Sequence, residues 1–228
     1  HLGLPRGKYL PTHLAEHGTG HCAALYGLGY DRSMNPAPGS YLLEGLIDFH
    51  ATMDPSTLRP GWEDDATAVA IADLTMHGEP FAYSARHVLK QSIAAWAELG
   101  YTVQIGIELE AYLIEPDEEG GWKRYDNPRA MVYGTGPASD PTGIIDDIMR
   151  TALRLGFRPE SINAEFDESQ FELTLEYGDA LEVADDILLV RVMARELALS
   201  HVLDLTVLGT HFADLRVTVL PFNLSIVH

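Results

Sequence analysis

Cysteine is almost missing from this chain. With Cys22 alone among 228 residues, no internal disulfide can staple the fold, and a reducing, cytoplasmic setting is expected. Basic residues are also scarce: 15 Lys and Arg face 34 Asp and Glu, giving a formal net charge of −19. This balance excludes a basic surface for nucleic acid or for an anionic membrane. It leaves nucleotide phosphates open, because bound cations can shield them. The sequence has no apolar run of transmembrane length and nothing that reads as a signal peptide. Histidine does not supply a metal clamp either. His13, His17 and His21 recur every four residues beside Cys22, but Gly18 and Gly20 interrupt that helix, so an exposed helix end is the simpler reading. What remains is a chain of 46% hydrophobic residues, enough for a real core in one large domain or in a small and a larger one.

The acids are patterned. In Thr102 to Ile114 the alternate positions Val103, Ile105, Ile107, Leu109, Ala111 and Leu113 are apolar, the signature of a half-buried strand. Side chains alternate faces along a strand, so burying that set puts Gly106, Glu108, Glu110 and Tyr112 together on the other face. Glutamate is disfavoured in strands, and like charges on one face repel. A cation or solvent must offset that cost. A second strand repeats the pattern: Phe171, Leu173, Leu175 and Tyr177 form its apolar set, and Gln170, Glu172, Thr174 and Glu176 share the opposite face. Glu165 joins them only if the chain turns at Asp167-Glu168-Ser169. Carboxylate oxygens select hard divalent ions, so magnesium or manganese is expected rather than zinc. Neighbouring positions on one strand face lie about 6.6 Å apart, which suits one ion or two. Two solvated acidic strands are the plainer alternative.

The first 80 or so residues are rich in Gly and Pro and read as a small α+β unit ending in a strand from Ala66 to Asp73. Met76 to Pro80 reads as a turn, placing the domains at 1–78 and 79–228. A helix capped by Ser84 carries Leu89, Ile93, Trp96 and Ala97 on one face and stops at Gly100. After a polar hairpin at 116–121, Asp140 and Pro141 open a helix with Ile145, Ile148, Met149, Ala152 and Leu155 as its stripe. The loop Tyr133-Gly-Thr-Gly136 reads as a plain turn, since no strand and helix flank it. A third helix runs from about Asp179 to His201, with Arg191 and Arg195 expected to pair along its face with Asp186 and Glu196, and Leu205 to Leu208 returns to strand. The predicted architecture is therefore a sheet with helices packed on one side.

These residues resemble the glutamine synthetase family, including its branch that couples glutamate to amines. Arg6-Gly-Lys-Tyr-Leu-Pro11 is similar to a stretch of that family's amino-terminal β-grasp domain, and Leu58-Arg-Pro-Gly-Trp62 and Asp73 to its closing segment. Gly106-Ile-Glu-Leu-Glu110 resembles the Gly-x-Glu-x-Glu strand, while Glu165, Gln170 and Glu172 resemble the Glu…Gln-x-Glu strand. The resemblance implies an α+β fold, with a β-grasp-like domain followed by a curved antiparallel sheet with helices on its outer side. It implies two divalent ions, one held by Glu110, Glu165 and Glu172 and the other partly by Glu108. ATP would phosphorylate the glutamate side-chain carboxylate, and ammonia or an amine would attack the acyl phosphate. A homo-oligomer of stacked rings is also implied.

The carboxy-terminal end departs from the pattern. After Phe212-Ala-Asp214 the family has Gly-Ser-Gly-x-His-x-His or Gly-Ser-Gly-x-His-x-Asn, whereas this chain reads Val217-Thr-Val-Leu-Pro221-Phe-Asn223. Asn223 fits the second variant and is the expected cofactor-binding residue. Pro221 takes the place of a metal-binding histidine and offers no side-chain lone pair. Val217 and Val219 replace glycines with β-branched residues. The sequence also opens at His1 without a methionine and closes on a strand, before the family's later arginines and glutamate, so it reads as a fragment that would not turn over alone. A non-catalytic relative is the alternative expectation.

Overall fold

The computed structural model describes residues 3–208 and 218–227. Backbone contacts divide the chain into two compact units, one of residues 1–59 and 68–101, the other of 60–67 and 102–228. In chain order the elements begin with α1 (Thr12–Ala15), β1 (Thr19–Cys22) and β2 (Asp48–Met53). The two-residue strands β3 (Arg59–Pro60) and β4 (Ala68–Val69) follow, then β5 (Ala72–Met76), β6 (Glu79–Pro80) and α2 (Ala85–Glu98).

The first unit is built on a four-stranded antiparallel sheet in the order β1-β2-β5-β6. Its core gathers Ala23, Leu42, Phe49, Ala51 and Phe81, with Phe49 and Phe81 stacked at 5.1 Å between ring centroids. The turn expected at 76–80 is a hairpin within this unit, made by His77 and Gly78 at positive φ between β5 and β6. The strand expected over 66–73 is broken into β4 and β5. Ser84 caps α2 by accepting from the His87 backbone N–H, and Gly100 ends the helix at φ 84°. The helix buries none of its residues fully. Ion pairs hold it instead: Arg86 donates to Asp54 at 2.7 Å and to Asp73 at 2.6 Å, and Lys90 reaches Asp73 at 2.6 Å. Its expected stripe is thus half-buried at Leu89 and Ile93 but open at Trp96 and Ala97.

In the second unit come β7 (Thr102–Pro116), β8 (Trp122–Arg124), α3 (Ile144–Arg154), β9 (Pro159–Ala164), β10 (Gln170–Leu175), β11 (Gly178–Asp179), α4 (Ala180–Ser200), β12 (Asp204–Thr206) and β13 (Phe222–Val227). The fold is α+β, and its seven-stranded sheet is curled and antiparallel around β7. Ile105 faces Gly178 of β11 and Leu224 of β13, while Tyr112 faces Gln170 of β10 and Thr206 of β12. The central strand is therefore paired along both edges.

Leu109, Ala111, Leu113, Phe171, Leu173 and Leu175 are buried on one sheet face, where α4 packs on β7 and α3 packs on α4 and β9. The helices bring Ile144, Ile148, Ala152, Val190 and Met193, all fully buried. Asp140 serves α3 from outside by accepting from the Ile145 and Asp146 backbone N–H groups, after which Gly143 turns the chain in at φ 75°. Asp179 caps α4 by accepting from Leu181 and Glu182. Two expectations fail here. Tyr177 is exposed rather than part of the apolar face, because β10 ends at Leu175 and the chain bends into β11. Arg195 pairs across to Asp204 at 2.9 and 3.1 Å instead of along its own helix, a fork that matches both carboxylate oxygens.

Candidate functional site

The acidic face is assembled by register. In the antiparallel pairing of β7 with β10, Glu110 stands directly opposite Glu172, Glu108 opposite Thr174, and Tyr112 opposite Gln170. Directly opposed residues share a face with their Cα atoms about 4.5–5.5 Å apart. The β9–β10 hairpin adds the third strand: Asn163 lies opposite Glu172, and the Glu165 N–H donates to Gln170 O at 2.9 Å. The chain turns over Asp167 to Ser169, with Ser169 at φ 62°, and this turn gives Glu165 the same face as Glu172. On the other edge of β7, Asn223 pairs with Gly106 and donates to Glu108 at 3.4 Å. The expected site residues Glu108, Glu110, Glu165, Glu172 and Asn223 thus all lie on one face of one sheet.

Their electrostatics fit a cation. Burial, with repulsion from Glu108, Glu165 and Glu110, pushes the Glu172 carboxyl above the usual glutamate range. Burial pushes Glu110 up as well; the Val219 N–H draws it back, and Glu165 and Glu108 raise it further. Both groups are harder to ionise because of burial first and of the carboxylates beside them second, and a divalent cation would offset the second. Hydrogen bonds fix two of the acids in place: Glu110 accepts from Val219 N at 3.1 Å and Gln170 Nε2 at 3.3 Å, and Glu165 accepts from Asn163 Nδ2 at 3.0 Å. Among the described residues, no three His, Cys, Asp or Glu side chains already converge on one ligating point. The donor set is nonetheless all carboxylate oxygen, the chemistry of magnesium and manganese sites.

Pro221 takes part through its backbone, its carbonyl accepting from Glu108 N–H at 3.1 Å. Phe212 to Asp214 and Val217 lie outside the described residues. Asn163 escaped the sequence reading although it stands two residues before Glu165, a spacing that puts both on one face. The Tyr112 hydroxyl, which donates to Asp167 at 2.6 Å, was also missed, since nothing local links residues so far apart. Of the discounted histidines, His21 sits on β1 stacked against Phe49, which removes it from any helix shared with His13. No helix among the described residues is long and apolar enough to cross a membrane.

Comparison with known proteins gives one answer. The profile of the glutamine synthetase catalytic domain matches residues 82–227. A γ-glutamylethanolamide synthetase, GlnA4 of Streptomyces coelicolor, is 28% identical over 216 residues, 90% of this chain and 46% of its own. A glutamine synthetase of Clostridium saccharobutylicum is 34% identical over 124 residues, 54% of this chain and 28% of its own. Among solved structures, apo GmaS superposes with a TM-score of 0.80 at 25% identity, covering 99% of this chain and 52% of that one. The chain therefore spans from about a quarter to half of the length of these relatives. By its sequence profile and its fold, this chain belongs to the glutamine synthetase family of ligases.

Proposed function

We propose that this chain forms part of an ATP-dependent ligase that activates the side-chain carboxylate of glutamate as an acyl phosphate and joins it to ammonia. The observation that carries this reading is the opposition of Glu110 and Glu172 on one sheet face, with Glu108 and Glu165 raising the cost of their charge. Glu110, Glu165 and Glu172 would hold one magnesium or manganese ion, and Glu108 would face a second, with Asn223 beside it toward ATP. Bound there, the ions would neutralise the phosphate charge of ATP. The chain's own contribution is placement. Val219 N–H and Gln170 fix Glu110, Asn163 fixes Glu165, and the two-sided pairing of β7 keeps Glu108 and Glu110 from drifting. Pro221 offers no side-chain ligand, so the second ion leans on fewer protein groups than in the family pattern. Assembly into a homo-oligomer, as stacked rings, belongs to the same proposal.

A second reading, an amine in place of ammonia, is favoured by two of the relatives that match most of the chain, beside others named glutamine synthetases. One is named a γ-glutamylethanolamide synthetase, and a glutamate–isopropylamine ligase of a Pseudomonas species is 27% identical over 75% of this chain.

Two measurements test the proposal. A ligand that binds only the folded state raises the melting temperature by mass action, about 2.7 kcal/mol at a hundred times its Kd. Manganese or magnesium should stabilise the protein saturably, and Glu110→Gln and Glu172→Gln should abolish that gain. Without ions, Glu172→Gln should melt higher than the parent, since it removes a charge that its neighbours oppose. No shift at millimolar ion would mean that the acids are only solvated. Incubation of the intact protein that contains this chain with glutamate, ATP, magnesium and either ammonia or a small alkylamine should then yield ADP, phosphate and a γ-glutamyl amide. Ion binding without either product would instead favour a non-catalytic relative.

A further inference from the structure

The turn that carries Glu165 toward the other acids is held by ties from β7 and β8. Tyr112, 2% exposed, donates its hydroxyl to Asp167 Oδ2 at 2.6 Å. Arg124 of β8 pairs with Glu168 at 3.1 Å, and Leu113 N–H donates to Ser169 O at 2.9 Å. Three successive residues, Asp167, Glu168 and Ser169, are each anchored to the strands that bear or flank Glu110.

The turn needs these anchors. Ser169 adopts φ 62°, a left-handed conformation unfavourable for a residue with a Cβ, and its hydroxyl is buried without a hydrogen-bond partner among the described residues. Such a residue persists only where its surroundings over-determine it. If the turn relaxed, Glu165, two residues before Asp167, would be the first acid to leave the face. Glu108, Glu110 and Glu172 sit within paired strands and would stay.

We propose that Tyr112 and Asp167 form a positioning pair: the buried phenol hydroxyl holds the β9–β10 turn so that Glu165 faces Glu110 and Glu172, and so sets the affinity of the divalent ion. This rests on the reading above that these carboxylates hold such an ion. Neither residue touches the ion. Both act through Glu165, as the groups that orient a metal's ligands do, whose loss commonly weakens affinity 10- to 100-fold.

The test is manganese binding by calorimetry, paired with melting in the absence of ions. Tyr112→Phe, which deletes one oxygen and keeps the ring, should weaken binding about tenfold or more. Asp167→Ala should do the same. Asp167→Asn keeps an acceptor oxygen for the phenol and should bind nearly as the parent does, a rescue that general destabilisation does not predict. In a Glu165→Gln background, Tyr112→Phe should have no further effect, because the residue through which it acts is gone. Parental affinity in both Tyr112→Phe and Asp167→Ala, with the parent binding normally, overturns the positioning role alone. Additive losses in the Glu165→Gln background overturn it too. A parent that binds no manganese overturns the metal reading and this proposal with it.

Discussion

At the scale of single residues, carboxylates in this chain are driven in opposite directions by their neighbours. Glu110 and Glu172 are pushed up by burial and by the nearby carboxylates of Glu108 and Glu165. Asp54 is held down to about 2, first by the Ser56 hydroxyl and then by Arg86, which donates at 2.7 Å. The sign of the resulting pH effect follows from linkage. A carboxyl whose pKa is lower in the folded state than its ordinary 3.8 adds stability above that ordinary value and loses it as pH falls toward about 2. Asp54→Asn should therefore lower the melting temperature at neutral pH and flatten its decline between pH 3.8 and about 2. Thermal melts of both proteins across that window check it; parallel curves would refute the assignment.

Elements were legible in the sequence where one local rule sufficed. Alternation located β7 and β10 and so the faces bearing Glu108, Glu110 and Glu172, because a buried apolar set fixes the opposite set without knowledge of partners. Capping located α2 at Ser84, and the third helix was expected from about Asp179, the residue whose side chain caps α4. Removing the latter cap with Asp179→Ala should cost about 1 kcal/mol in a denaturant melt, the usual value of such a cap. What sequence reasoning could not reach were pairings between distant residues. The fork of Arg195 on Asp204 replaces the expected pairing along the helix, and Arg86 with Lys90, rather than an apolar stripe, ties α2 to its sheet. The candidate site divides the same way. Glu165 was tied to its face by the turn residues, and Asn223 by its place in a motif. The hold of Val219 N–H on Glu110 and of Tyr112 on Asp167 depends on strands meeting across the sheet.

For the whole molecule, the net charge of −19 is a standing cost of compactness. Monovalent salt shortens the reach of that repulsion to about 8 Å near physiological ionic strength, so sodium chloride should raise the melting temperature gradually and without saturating. A divalent ion seated among Glu110, Glu165 and Glu172 should act differently, saturating at low concentration with ionic strength held constant. Comparing the two titrations separates a bound ion from diffuse screening.

The two-sided pairing of β7 has a kinetic meaning as well. A strand hydrogen-bonded along both edges releases its amide protons to solvent only when much of the sheet opens, whereas a hairpin tip opens locally and often. The backbone carrying Glu108 and Glu110 should therefore exchange its amide protons more slowly than the turn beside Glu165.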